Sequence, residues 1–377
     1  MEEHQFATKA IKTTQRAFEN INPVTAPIYL STTFKRNPDG SYNDGFVYTR
    51  ADNPNRRILE QSLAELEGGA DAFAFSSGMA AVSALFQSLS PTDHILLPDD
   101  IYFNIYLLVD EVFSRWGLTY TLVDMTDLNA LKAAFRPNTR LVWLETPSNP
   151  QLKITDIAEV ATIAHDQGAL IVVDNTWPTP VLQRPFDLGA DIVMHSTTKY
   201  FGGHSDVLGG CIILRQESAY TDRVAKVQVF SGAVPSPFDC WLISRGIQTM
   251  HLRVHAQSNS AAELASFLSQ HPRIEKVNYP GLSDHAGYEI ARRQMPNGAG
   301  GMLSILVKGD GERALQVSNR LNVFTTATSL GGVESLVEHR KSIEGPSSQT
   351  PDNLLRISVG LEDIGDLIED WDQALRL

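Results

Sequence analysis

Apolar residues in this chain follow two rhythms that alternate from residue 56 onward. Short, almost wholly apolar runs read as strands: "DAFAFSS", "DHILLP", "TYTLV", "RLVWLE", "ALIVVD", "DIVMHS" and "GCIIL". Between them lie segments with helical spacing: "RRILEQSLAELEGG", amphipathic and closed by glycine, then "GMAAVSALFQSLS", "IYLLVDEVFSRWG", "DLNALKAAF" and "ITDIAEVATIAHDQG". A strand that is apolar at every position must be covered on both faces. The alternation therefore predicts an α/β fold, a mostly parallel seven-stranded sheet covered by helices.

The rhythm changes further along. Residues 237–270 read as a long helix or a helix pair. Beyond it, "IEKVNYP", "MLSILVKG", "LNVFTT" and "LLRISVG" read as strands, and "GERALQVSNRL" and "EDIGDLIEDWDQAL" as helices, a smaller C-terminal α+β domain. Residues 1–55 are rich in Pro, Asn and Thr and read as an irregular arm that contacts a neighbouring subunit. The partition expected is an arm over 1–55, a ligand-binding domain over 56–255 and a C-terminal domain over 256–377.

Composition narrows the class of partner. Lys and Arg number 31 against 44 Asp and Glu, a formal charge of −13 that disfavours nucleic acid and anionic membrane as main partners. A local pocket can still be positive and take a small anion. The two cysteines, Cys211 and Cys240, lack metal-ligand spacing and read as buried thiols. The start of the chain has no apolar leader core, and no apolar run approaches the roughly 18 residues of a membrane span, so a soluble cytoplasmic protein is expected.

Ligands of open parallel sheets bind beyond the carboxyl ends of the strands. Several chemically capable residues fall there. Ser76-Ser77-Gly78-Met79 opens a helix, with free N–H groups and hydroxyls suited to a phosphate. Tyr102 follows the second strand, Asn149 the fourth, Asp174 the fifth, and Ser196-Thr197-Thr198-Lys199 the sixth. Each alone has an ordinary structural explanation: a strand–helix turn, a half-buried aromatic, a turn-capping aspartate. Jointly they match the needs of pyridoxal 5'-phosphate. Its aldehyde needs a lysine amine, its ring nitrogen a carboxylate, its ring a stacking face, and its phosphate N–H and hydroxyl donors. His251 and His255 stand four apart on a helix but lack a third ligand, so no metal site is expected. "GAGGML" reads as a turn into a strand.

These motifs, with "YTRADNP", "ETPSNP", "VVDNTW", "GHSDVLGG", "SPFDCWLISRGIQT", "YPGL", "SLGGVESL" and "LLRISVGLEDIGDLI", resemble the transsulfuration, or Cys/Met metabolism, family of pyridoxal-phosphate enzymes over nearly the whole chain. The resemblance implies a fold-type-I architecture and a homotetramer of two catalytic dimers. It implies that Lys199 carries the cofactor and later moves protons, that Asp174 pairs with the ring nitrogen, and that Tyr102 stacks on the ring or acts as a base. By the same resemblance Ser77, Gly78, Met79, Ser196 and Thr198 hold the phosphate, and Asn149 contacts the 3′-oxygen region. Tyr48 and Arg50 reach the phosphate of a neighbouring subunit, with Tyr48 also near the substrate, and Arg356 with Ser329 binds the substrate α-carboxylate.

The activity implied is making or breaking the Cγ–S bond of cystathionine or a related homoserine-derived amino acid. The alternatives within the chemistry are a cystathionine or cysteine-conjugate β-lyase and a methionine γ-lyase or homoserine-ester sulfhydrylase. An aminotransferase on the same fold is disfavoured by the full-length match, and a cofactor-binding interaction protein without turnover is the non-enzyme alternative. The chain departs from the family at Tyr102-Phe103-Asn104-Ile105, where Tyr-Gly-Gly-Thr is common, at Thr328, at Leu107, and at His339-Arg340, where His-Pro is common. Phe103, Asn104, Ile105 and Thr328 are the positions expected to set specificity.

Overall fold

The computed structural model describes residues 4–15, 23–345 and 348–376. Seven strands form the larger sheet: β1 (Asp71–Phe75), β2 (His94–Pro98), β3 (Thr119–Val123), β4 (Thr139–Glu145), β5 (Leu170–Asp174), β6 (Ile192–His195) and β7 (Gly210–Leu214). Their order is β1-β7-β6-β5-β4-β2-β3. The block β3 to β6 is parallel, and β7 runs antiparallel to both β1 and β6. A second sheet has the order β10-β11-β12-β9-β8, built from β8 (Ile274–Asn278), β9 (Met302–Val307), β10 (Thr325–Thr326), β11 (Leu336–His339) and β12 (Leu354–Ser358).

The helices are α1 (Phe6–Lys12), α2 (Pro54–Glu67), α3 (Gly78–Gln87), α4 (Phe103–Leu107), α5 (Leu128–Ala134), α6 (Ile157–Asp166), α7 (Thr179–Leu182), α8 (Ala219–Ser231), α9 (Pro237–Gln270), α10 (Tyr288–Gln294), α11 (Gly311–Ser318), α12 (Arg340–Glu344) and α13 (Ile364–Leu375). Their ends follow local chemistry. At α2, Asn53 accepts the N–H of Asn55, Pro54 occupies the first turn, and Gly68 closes the helix at φ 83°. The segment 237–270 is one helix, α9, started by Ser236 and Pro237.

Alternate strand residues face opposite cores. Ile171 and Val173 of β5 pack toward α2, α6 and α9, whereas Val172 packs with α3, α4 and α8 on the other face. This two-sided cover is why the strands read as unbroken apolar runs. A third core lies between the second sheet, the C-terminal half of α9, α11 and α13.

Three sequence expectations change. The arm is not wholly irregular: α1 packs on α2 and α9, with Ala10 fully buried. The segment read as one helix over 105–117 is broken. After α4 comes a wide π turn over Leu108–Val112 and a tight 3-10 turn over Phe113–Trp116. Ile105, Val109 and Phe113 are all buried and spaced by four. Residues four apart share one face of an ordinary helix too, so the apolar period predicts a buried helical face here and not the width of its turns. In "LNVFTT" only Thr325–Thr326 is strand, because both Asp370 carboxylate oxygens accept from the N–H groups of Asn322, Val323 and Phe324. The sequence pattern alone does not reveal strand β11 or helices α7, α8, α10 and α12.

Candidate active site

The carboxyl ends of β1, β4, β5 and β6 open on one cavity of about 180 Å3. Ser77, Gly78, Met79, Tyr102, Asn149, Asp174, Ser196, Thr198, Lys199, Ser329 and Arg356 all line it. A larger cavity of about 700 Å3, between the β3–α5 turn, α10 and β8, holds none of them, so chemistry rather than size selects the site. Tyr48 and Arg50 do not line the cavity within one chain. Tyr48 is 43% exposed, and Arg50 donates to the carbonyl of Val229 at 2.7 Å. His251 and His255 lie elsewhere, on α9, and among the described residues no cluster of three or more His, Cys, Asp or Glu could hold a metal ion.

One end of the cavity is built for an anion. Ser77 caps α3, its hydroxyl accepting the N–H of Ala80 at 3.0 Å. Helix geometry leaves the N–H groups of Gly78 and Met79 without intrahelical acceptors. A Cβ at Gly78 would stand 3.1 Å from the Cβ and Oγ of Ser196, so the absence of a side chain there makes the hollow. Strand β7 passes directly beneath. A Cβ at Gly210 would meet the Ser77 carbonyl oxygen at 2.4 Å and Gly78 Cα at 2.6 Å. The Thr198 hydroxyl accepts from the N–H of Gly209 at 3.0 Å and donates to its carbonyl at 3.1 Å, a bond pair that ties the lysine turn to β7.

The floor carries carboxyl groups. Asp174 ends β5 and Glu145 ends β4, paired in register. The N–H of Thr176 donates to Asp174 Oδ1 at 3.0 Å, and the N–H of Tyr102 donates to Glu145 Oε2 at 2.8 Å. Burial, then the charge of Asp174, push the Glu145 carboxyl well above the usual range. Burial also raises Asp174, opposed by the bonds from Thr176 and by His195. Of two adjacent buried acids one keeps its proton, and Glu145 is the one pushed harder.

Lys199 and Arg356 supply the cations. The Lys199 amine donates to the Ser329 hydroxyl at 2.7 Å. Burial pushes its pKa down to about 8, and Arg356 adds to the fall. Ser329 has φ 93°, strain of the kind that concentrates at functional sites. Arg356, 4% exposed, donates to Asn149 Oδ1 at 3.2 Å, to the Ser329 carbonyl at 3.3 Å and to Glu338 Oε2 at 2.5 Å. Glu338 also accepts from Arg340, which Glu344 holds from the other side. The Arg340 that departs from the family pattern is thus a buried member of an Arg356–Glu338–Arg340–Glu344 chain, and it lines the cavity itself. Near Tyr102, its hydroxyl accepts from Asn104 Nδ2 at 2.9 Å, while Ile105 and Thr328 line the wall.

The residues fit pyridoxal 5'-phosphate: a glycine hollow at a helix start, a carboxyl floor and a lysine of lowered basicity in one cavity. Glu145, Thr176 and Glu338 escaped sequence reasoning. Glu145 ends a strand as Asp174 does, a signal that was present. Glu338 lies on the unrecognised β11.

Comparison with known proteins agrees. The family model described as "Cys/Met metabolism PLP-dependent enzyme" matches residues 7–376. The cystathionine gamma-synthase of Mycobacterium tuberculosis (strain ATCC 25618 / H37Rv) is 48% identical over 375 residues, covering 98% of this chain and 96% of that protein. The cystathionine beta-lyase of Lactococcus lactis subsp. cremoris (strain MG1363) is 44% identical over 360 residues, covering 93% and 94%. The crystal structure of cystathionine gamma-lyase from Lactobacillus plantarum complexed with L-serine superimposes with a TM-score of 0.93 at 37% identity, over 98% of each chain.

Proposed function

The chain belongs to the Cys/Met metabolism family of pyridoxal-phosphate-dependent enzymes, and from that premise we propose that it makes or breaks the Cγ–S bond of cystathionine or a related homoserine-derived amino acid. It is a transsulfuration enzyme whose cofactor is pyridoxal 5'-phosphate. When bound, the cofactor supplies an electron sink for the charge left at the substrate Cα. The observation that carries the γ reading is Lys199. Its amine, with a pKa lowered to about 8, sits 2.7 Å from Ser329 and in the same cavity as Arg356. An amine poised near neutrality can take a proton at one carbon and return it at the next, the transfer γ-chemistry needs; β-elimination uses such a base at Cα as well, and the 48% identity to a cystathionine gamma-synthase adds support to the γ reading.

In this reading Arg356 binds the α-carboxylate and orients the Cα–H bond, with Ser329 beside it. Tyr102 would stack on the ring and could share the proton work with Lys199. Asp174 would pair with the ring nitrogen. Ser77, Gly78, Met79, Ser196 and Thr198 would hold the phosphate, and Asn149 would contact the 3′-oxygen region. Tyr48 and Arg50 would complete the phosphate site of a neighbouring subunit in a homotetramer of catalytic dimers. The division into an arm (1–55), a cofactor domain (56–255) and a C-terminal domain (256–377) and a cytoplasmic location belong to the same proposal. Among the described residues no helix is long and apolar enough to cross a membrane.

A β-lyase reading draws on Trp177, which lines the cavity. Product analysis with L-cystathionine separates the two. Cysteine plus 2-oxobutyrate supports γ-elimination, and homocysteine plus pyruvate overturns it in favour of β-elimination. Turnover only with a homoserine ester and a thiol assigns replacement. No product from any of these substrates refutes the proposed chemistry.

A further inference from the structure

Beneath Asp174, on the opposite face of the sheet, lies a second acid that the reaction does not touch. Glu67 is the last residue of α2 and His195 the last of β6, and both are 0% exposed. Glu67 Oε1 is hydrogen-bonded to His195 Nε2 at 2.5 Å and accepts from Asn175 Nδ2 at 3.0 Å. Glu67 Oε2 and His195 Nδ1 are buried with no hydrogen-bond partner. Phe201 packs edge-on against the imidazole, with ring centroids 4.8 Å apart.

A carboxylate here is costly on two counts. It is removed from water, and it sits at the C-terminal end of a helix, where the dipole disfavours an anion. Its neighbours make a third. Glu145 ends β4, Asp174 ends β5 and Cys211 lies on β7, so an uncompensated charge on Glu67 would repel Asp174 across the end of the sheet. Arg184 donates to the backbone carbonyls of Leu66 and Glu67 at 3.2 and 3.3 Å, His195 is the ionisable group bonded to the carboxyl itself, and Lys199 and Arg356 face the cavity. A scaffold alone would not need an acid. Asn175 and Gln183 already tie the loop after β5, with Gln183 Nε2 donating to Asn175 Oδ1 at 3.0 Å and Asn175 Nδ2 donating to the Gln183 carbonyl at 3.0 Å. A neutral amide at position 67 would complete that scaffold equally well.

We propose that Glu67 and His195 form a positioning pair of net zero charge that keeps Asp174 anionic toward the ring nitrogen of the cofactor. The inference rests on the reading of Asp174 given above. The pair carries one proton more than a carboxylate beside a neutral imidazole, and whichever partner holds it, the sum is zero. Removing the histidine alone leaves a lone acid. That acid or Asp174 must then take up a proton, and the contact of Asp174 with a cationic ring nitrogen weakens.

The test is cofactor binding by the purified full-length protein, read by equilibrium dialysis with pyridoxal phosphate and by the visible absorbance of the bound cofactor. His195→Gln is expected to raise the Kd about ten-fold, the equivalent of one pKa unit on Asp174. The double variant Glu67→Gln/His195→Gln keeps side-chain volume, removes both ionisable groups, and is expected to recover most of that loss. If the double variant binds no better than His195→Gln, the pair acts by hydrogen bonding and the proposal is overturned. Should His195→Gln fail to fold, the double variant carries the test: charge balance requires it to fold and load cofactor, and failure rejects the idea. Asp174→Asn serves as the reference. If it weakens binding while His195→Gln does not, only the pair is wrong; if it binds like the parent, the Asp174 reading falls and takes this proposal with it.

Discussion

Replacing Lys199 with methionine should stabilise the cofactor-free protein at neutral pH, and the gain should disappear as pH rises. The ammonium is held in a pocket whose burial moves its pKa from 10.5 to about 8. A lysine whose folded pKa lies below its unfolded one costs stability while charged, because the unfolded chain binds the proton more tightly. Below pH 8 that cost is full, and it is relieved between pH 8 and 10.5. A displacement of about 2.5 units corresponds to about 3 kcal/mol at pH 7 and about 1.4 kcal/mol at pH 9.5. Methionine matches the lysine stem but forfeits the bond to the Ser329 hydroxyl, about 1 kcal/mol. The net gain is then about 2 kcal/mol at pH 7 and close to zero at pH 9.5. With an unfolding entropy of about 2.1 cal/mol/K per residue, 2 kcal/mol raises Tm by about 2–3 °C in a chain of this length. Thermal melting of cofactor-free wild type and Lys199→Met at the two pH values is the assay. A variant that melts no higher at pH 7, or that keeps its advantage at pH 9.5, refutes the claim that the pocket disfavours the ammonium.

Three further outcomes are expected. Arg356→Lys keeps a charge but loses the planar fork that Asn149, Ser329 and Glu338 hold in place; kcat/KM should fall ten- to a hundred-fold, mostly through KM, for about 1.5–3 kcal/mol of charge-assisted bonding. Gly210→Ala drives a methyl into the Ser77–Gly78 backbone; at about 1–3 kcal/mol of strain it should lower Tm and cofactor affinity together, and unchanged cofactor affinity would remove β7 from the phosphate site. Asn104→Ala frees the Tyr102 hydroxyl; steady-state kinetics should show kcat reduced several-fold with the cofactor Kd unchanged, whereas a parallel loss of cofactor would make Asn104 a cofactor residue instead.

The legible parts of the site were those carried by short, contiguous signals at strand ends. Asp174, Lys199 and Ser77-Gly78 stand where an apolar run stops and a turn begins, and strand–helix alternation alone places such ends on one edge of a sheet. Thr198 was legible as a hydroxyl beside the lysine, but its present bonds to Gly209 follow from how β7 crosses under the turn. Arg340 stands out in the sequence only as a departure from the family pattern, and Glu338 carries no local signal at all. Burial on β11 and α12 made them an ion chain with Arg356 along the cavity wall, and nothing in the local pattern distinguishes a buried acid from a solvated one.

The sequence by itself determined the layering. Strands apolar on both faces had to be sandwiched between helices, Ser77 stood where a strand gives way to a helix, and the segment 237–270 carried a helical pattern that left one helix or a pair open. It also carried the chemistry of the strand ends, because a lysine, a carboxylate and an anion-binding turn are local in the chain. Tertiary structure alone decided the rest. It moved Arg356 beside Ser329 and Lys199, lowered the basicity of that lysine by taking it out of water, and set Glu67 against His195, 128 positions apart in the chain. Long-range pairing and desolvation depend on which surfaces meet, and no periodicity within a short window encodes them.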